Sequence, residues 1–141
     1  MSYLSEKADK LHARLDYLRD LEKGWYGPSW NPRSTDKTPL GEAVTLLAID
    51  RARELLNRLL VILHTARIFP RMDEGDGLQF EWFASPGRQW CCELEVHNDG
   101  TVRYFNHNFD VKDSWVHIEF DGNDLDRVVE FVEWEHSKGR A

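Results

Sequence analysis

Apolar residues recur at intervals of three and four in the first part of the chain, and this spacing predicts two helices. Residues 3–22 carry one apolar stripe, and Gly24 is a natural helix end because glycine tolerates left-handed backbone. A second helix is predicted from about Thr38, with Pro39 in its first turn, to about Ala66. Its apolar stripe is broader than a surface helix needs, which favours a place between the first helix and a sheet. A contact with a second copy of the chain, giving a homodimer through helix two, is the alternative.

The apolar period changes to two after Gly77, which predicts strands with one buried face. The buried positions are predicted to be Leu78, Phe80, Trp82, Trp90, Cys92, Leu94, Val96, Val102, Tyr104, Val116, Ile118 and Phe120. The residues Asn98 to Gly100 fit a three-residue hairpin loop that pairs Val96 with Val102. A two-residue turn would pair Val96 with Arg103 and waste the buried face.

A last helix is predicted from around Asn123 or Asp124, with an inner face of Leu125, Val128, Val129 and Val132. The order of elements predicts an α+β protein: two N-terminal helices, an antiparallel meander of three to five strands and a C-terminal helix. The helices are expected to pack on one sheet face, and residues 1–141 are expected to form a single domain.

Acidic residues are concentrated in the second half of the chain. Residues 1–64 hold ten Lys and Arg against nine Asp and Glu, whereas residues 65–141 hold eight against sixteen, within a total net charge of −7. Direct nucleic-acid binding is not expected, because that affinity rests on Lys and Arg neutralising phosphates. The charge favours a basic protein partner, and the plainer alternative is that it serves solubility.

The cellular compartment of the protein is predicted from features that the sequence lacks. No apolar run approaches the roughly 20 residues of a membrane span, and the charged N-terminal segment does not resemble a signal peptide. The two cysteines, Cys91 and Cys92, are neighbours that a strand turns to opposite faces, so a bridge between them would be strained. A reduced cytoplasmic protein without membrane contact is expected.

Candidate chemistry in the sequence is sparse. His97, His107 and His117 recur every ten residues, but no HExxH or zinc-like Cys/His spacing is present. Cys91 lies on the same strand face as Glu93 and Glu95, where negative charge disfavours the thiolate. We therefore expect no catalytic residues, no metal and no cofactor. A small enzyme or toxin-like effector with a site around the three histidines is the alternative.

The polar side of the predicted sheet mixes carboxylates with large aromatic residues, a composition typical of protein–protein interfaces. Trp30, set between two prolines in the loop after the first helix, is a further candidate anchor. The predicted partner-binding residues are Trp30, Glu81, Phe83, Glu93, Glu95, Phe105, Trp115 and Glu119. Cover of the aromatic residues by a helix or loop is the alternative.

Short motifs resemble a pattern in small bacterial and phage proteins of unknown function. Those proteins carry GWxG, a proline-led helix, and a strand with two glycines before a Glu-Trp pair. This chain offers Gly24–Gly27, Pro39-Leu40 and Asp76–Trp82, and the resemblance covers about residues 20–105. It departs at residues 29–35, which resemble an inserted extension. The resemblance implies a fold and a bacterial or mobile-element context, and no reaction.

Together these features favour a non-enzymatic protein-binding or regulatory module of bacterial or phage origin. Its acidic, aromatic sheet face would bind a basic, nucleic-acid-binding partner, as an inhibitor of a defence effector would.

Overall fold

A computed structural model describes residues 2–20, 43–71, 76–83, 90–108, 116–121 and 123–138. The helices are α1 (Tyr3–Arg19), α2 (Leu46–Arg58), α3 (Leu60–Leu63) and α4 (Leu125–Lys138). The strands are β1 (Arg67–Pro70), β2 (Leu78–Phe83), β3 (Trp90–Val96), β4 (Val102–Asn108) and β5 (Val116–Phe120). The α+β prediction is confirmed. None of the described helices is long and apolar enough to span a membrane.

The five strands form one open antiparallel sheet in chain order, β1-β2-β3-β4-β5, which confirms the predicted meander. Val96 pairs with Val102 and Leu94 with Tyr104, so the three-residue hairpin loop is also confirmed. Gly100 takes a φ of 91° at the end of that loop, a left-handed conformation that glycine adopts without strain. The hydrophobic pattern was sufficient to fix this register, because a shift of one residue would turn every apolar side chain to the other face.

One apolar core joins the helices to one face of the sheet. The inner faces of α1, α2 and α4 enter it together with even-numbered residues of three strands, which are Leu78, Phe80, Trp82, Cys92, Leu94, Val96, Val102 and Tyr104. Phe80 and Tyr104 are among its largest buried side chains. The rings of Tyr104 and Phe131 meet edge to face, with centroids 5.4 Å apart. The described helices therefore lie on one side of the sheet, and the odd-numbered strand residues lie on the other.

The second helix differs from its predicted bounds. Thr45 caps α2 by accepting a hydrogen bond from the backbone of Ala48, so the helix begins at Leu46. Leu59 leaves helical geometry and separates α2 from the single turn α3. The prediction of one continuous helix to Ala66 is therefore wrong, and Thr38 lies outside the described residues.

Strand β1 was not predicted as a separate element. It is only four residues long, and it pairs with β2 through Ile68 opposite Phe80. A short apolar stretch directly after a helix has no period of its own to read, and only its non-local partner makes it a strand.

Candidate functional site

The sheet has a polar side, which we call the outer sheet face. It comprises the odd-numbered residues of β2 to β5, which are Gln79, Glu81, Phe83, Cys91, Glu93, Glu95, Arg103, Phe105, His107, His117 and Glu119. Because strand residues alternate between faces, this set is turned away from the core shared with the described helices. Six of the eight residues predicted to bind a partner lie on it. The other two, Trp30 and Trp115, lie outside the described residues.

Aromatic side chains lie at two places on the outer sheet face. Phe105 and His117 are opposite one another across β4 and β5, and their rings stack with centroids 4.4 Å apart and an interplanar angle of 11°. Phe83, near the end of β2, leaves 39% of its surface exposed. Large apolar side chains without full burial are the usual anchors of an interface.

Charges on the outer sheet face are mixed and lean acidic. Glu119 is exposed and forms an ion pair with Arg103, whose Nε lies 3.3 Å from Oε1. Glu81 and Glu93 are half-buried and sit directly opposite each other on β2 and β3. Like charges in such a pair repel, so a cation close to both would stabilise the sheet.

Glu95 is placed differently from the other candidates. It is 9% exposed, and its Oε1 lies 3.3 Å from Nε of Arg71 and 3.0 Å from Nε2 of His97. A carboxylate held in this way is not available to a partner without breaking the pair. We therefore leave Glu95 out of the contact surface proposed below.

Glu95 belongs to an ionic cluster, which we call the polar corner. It is formed by the buried residues Arg71, Glu95 and His97 and by the half-buried Asp76. It lies where the β1–β2 connection meets the end of β3. Nη1 of Arg71 donates to the backbone carbonyl of Asp76 at 3.0 Å, and Oδ1 of Asp76 accepts from the backbone of Asn98 at 2.8 Å. These contacts bring two charged residues of the connection onto the end of the sheet.

Both ring nitrogens of His97 are engaged in the polar corner. A guanidinium has no acceptor, so Nδ1 of the neutral ring accepts from Nη1 of Arg71 at 3.1 Å while Nε2–H donates to Glu95. When the ring is protonated, Nδ1–H can instead donate to Asp76, whose Oδ2 is 3.2 Å away. The 5% exposed ring is thus held as a structural group and is not presented to a substrate as a general base.

The three regularly spaced histidines do not come together. In the β3–β4 hairpin His107 lies opposite Cys91. His97 follows the other end of β3, six residues along the chain from Cys91, which is about 20 Å in an extended strand. His107 and His117 are diagonal neighbours on β4 and β5, a relation in which the Cα atoms are about 7–8 Å apart. A single site using all three histidines is not what this geometry offers.

A second group of donor atoms gathers on the outer sheet face. One ligand atom from each of Glu81, Cys91 and Glu93 lies within 4.8 Å of the other two. Burial, followed by the charges of Glu81 and Glu93, raises the pKa of the Cys91 thiol to about 12. Because the thiolate is the nucleophile, this cysteine is poorly suited to nucleophilic catalysis in the described structure.

Sequence reasoning missed two features of these sites. No sequence pattern indicated that Arg71 belongs to the polar corner, because its partner Glu95 is distant in the chain and the two meet only through the path of the β1–β2 connection. Glu81 and Cys91 are neighbours only because of the β2–β3 register. The alternation of apolar residues did not predict that register.

Comparison of the chain with protein-family models, with curated proteins and with solved structures finds no match. Its class is therefore given by its own architecture, an α+β protein with helices on one face of an open five-stranded meander. Function has to be inferred from the residues on the other face.

Proposed function

We propose that this chain is a non-enzymatic protein-binding module of bacterial or phage origin that contacts a basic protein through its outer sheet face. The observation that carries the proposal is the composition of that face, with aromatic and carboxylate side chains on paired strands opposite the helical layer. The contact residues are Glu81, Phe83, Glu93, Phe105 and Glu119. Trp30 and Trp115 remain predicted contacts.

Charge supports the choice of partner. The outer sheet face carries four carboxylates, Glu81, Glu93, Glu95 and Glu119, against the one guanidinium of Arg103 among its residues on β2 to β5. It belongs to a half of the chain, residues 65–141, that holds sixteen acidic residues against eight basic ones. An acidic surface steers a basic partner toward encounter and repels nucleic acid. A nucleic-acid-binding protein, such as a defence effector, has the complementary charge, and occupying its basic surface would inhibit it.

A rigid platform supports binding more than catalysis. The aromatic residues sit on hydrogen-bonded strands, so little side-chain or backbone freedom is lost when they are covered. Within the described ranges, His97 is engaged at both nitrogens and the pKa of the Cys91 thiol is raised to about 12. A homodimer through helix two stays the alternative prediction. Leu46 and Leu47 are exposed at the start of α2, and light scattering would measure the mass of the particle in solution.

The proposal predicts that a double variant of the outer sheet face loses its partner. Phe83→Ala combined with Glu119→Lys is expected to weaken binding at least about tenfold, or about 1.4 kcal/mol, since it removes an anchor and reverses a contact charge. The partner is first recovered from the native host by tagged pull-down with nuclease treatment. Its affinity for each purified variant is then measured by calorimetry at two salt concentrations.

The matched control makes the same kinds of change on the helical layer. Tyr17 on α1 is 48% exposed and Glu54 on α2 is exposed, so Tyr17→Ala with Glu54→Lys changes charge and aromatic content equally. We expect this control to bind normally, and circular dichroism checks that both variants fold. Equal affinity of the two double variants would reject the outer sheet face as the contact surface.

A further inference from the structure

We propose that Glu81, Cys91 and Glu93 form a binding site for a zinc-like divalent cation on the outer sheet face, with His107 as fourth ligand. This inference goes beyond the proposed function and does not depend on it. It rests on the donor atoms of the first three residues, which lie within 4.8 Å of one another.

Strand pairing brings the donors together. Glu81 on β2 lies directly opposite Glu93 on β3, and Cys91 is two residues from Glu93 on the same face. His107 on β4 lies directly opposite Cys91. Three neighbouring strands thus contribute to one patch, and their backbone positions are held by ladder hydrogen bonds.

The spacing is compatible with coordination after a small adjustment. Tetrahedral zinc with bonds of about 2.0–2.3 Å holds its donors about 3.3–3.8 Å apart. The donor atoms of Glu81, Cys91 and Glu93 lie within 4.8 Å of one another, so they need to close by at most roughly 1.5 Å. The ring of His107 is not part of that group and would have to turn toward it. Glutamate side chains can supply this movement by rotation, because they have three rotatable bonds and these two are only half-buried.

The donor types select the class of metal. Thiolate and imidazole favour zinc and similar transition ions, whereas calcium and magnesium prefer sites made entirely of oxygen. Two carboxylates and a thiolate carry three negative charges when ionised, so a divalent cation would offset the repulsion between Glu81 and Glu93.

Cobalt and zinc binding to the untagged full chain tests the proposal. Co²⁺ is expected to bind with one equivalent per chain and to give the near-ultraviolet band of sulfur-to-cobalt charge transfer. Zn²⁺ should displace it, and excess Mg²⁺ should not. Calorimetry supplies the stoichiometry and the affinity.

Variants separate this site from adventitious binding. Cys91→Ser is expected to abolish the charge-transfer band and weaken Zn²⁺ affinity at least about tenfold, with weakening also in Glu81→Gln and His107→Ala. The matched controls are Cys92→Ala, which removes the thiol of the opposite face, and Glu119→Gln, which removes an outer carboxylate outside the cluster. Both controls should retain the band.

Two results would overturn the assignment. Cobalt bound without a sulfur band, or with equal affinity in wild type and Cys91→Ser, would mean an adventitious ion only. Unchanged affinity in His107→Ala would reject His107 as the fourth ligand. Glu81 is also a proposed partner contact, whereas Cys91 and His107 are not. Cys91→Ser and His107→Ala are therefore expected to lose metal binding and keep partner binding, which tells the two proposals apart.

Discussion

Replacing Glu95 with alanine is expected to lower the free energy of unfolding by about 3–5 kcal/mol, because it removes the buried carboxylate that pairs with the buried guanidinium of Arg71. Arg71 is 6% exposed and its Nε lies 3.3 Å from Glu95, so its charge cannot turn to water without opening the polar corner. His97 loses its acceptor in the same step. Urea denaturation followed by circular dichroism measures the change.

The chain supplies a close control for this prediction. Glu119 accepts from Arg103 at the same Nε–Oε1 distance, 3.3 Å, but its side chain is 55% exposed. Glu119→Ala is expected to cost at most about 1 kcal/mol, since exposed ion pairs contribute little. Equal effects of the two substitutions would mean that the polar corner is not buried in solution. The comparison also matters for binding studies, because a charge reversal at Glu95 would unfold the corner and mimic the loss of a contact.

Substituting alanine for Gly77 is expected to cost at least about 3 kcal/mol, the upper part of the range for backbone strain, because collision adds to it. Gly77 has a φ of 79°, and a Cβ placed there would lie 2.0 Å from the carbonyl oxygen of Val96. Since Val96 pairs with Leu78 at the start of the β2–β3 ladder, the strands would have to separate. The same unfolding titration measures this variant.

Gly100→Ala separates strain from collision. Its φ of 91° imposes a similar strain, but the nearest atom to its Cβ, at 3.2 Å, is in the movable side chain of Leu47. We expect a cost of about 1–2 kcal/mol there. If Gly77→Ala were no more destabilising than Gly100→Ala, this would contradict the close contact between Gly77 and the backbone of Val96 on β3.

Local pattern was enough for most of the sheet. Alternation gave the buried parity of β2, β3 and β4, and the length of the Asn98–Gly100 loop gave the β3–β4 register. That register already implies that His97 and His107 are far apart. In an antiparallel hairpin only residues equally far from the turn lie opposite each other, and His97 is next to the turn whereas His107 is at the far end of β4. The spacing of ten residues suggested a convergence that the pairing excludes.

Other features depend on contacts that no local pattern contains. Parity placed Glu95 on the outer sheet face correctly, but its burial comes from Arg71, brought there by the β1–β2 connection. The break at Leu59 was hidden because the buried apolar stripe continues across it, from Leu55 and Leu56 to Ile62 and Leu63. Such positions are decided by tertiary packing, which overrides the helical period of the sequence.

Site-specific photo-crosslinking in the native host tests the proposed contact surface most directly. Phe83 on the outer sheet face and Tyr17 on α1 are each replaced with p-benzoylphenylalanine, and cross-linked products are identified by mass spectrometry. We expect one basic protein to be captured from position 83 and not from position 17. Capture of the pull-down partner from position 17 alone would contradict binding through the outer sheet face.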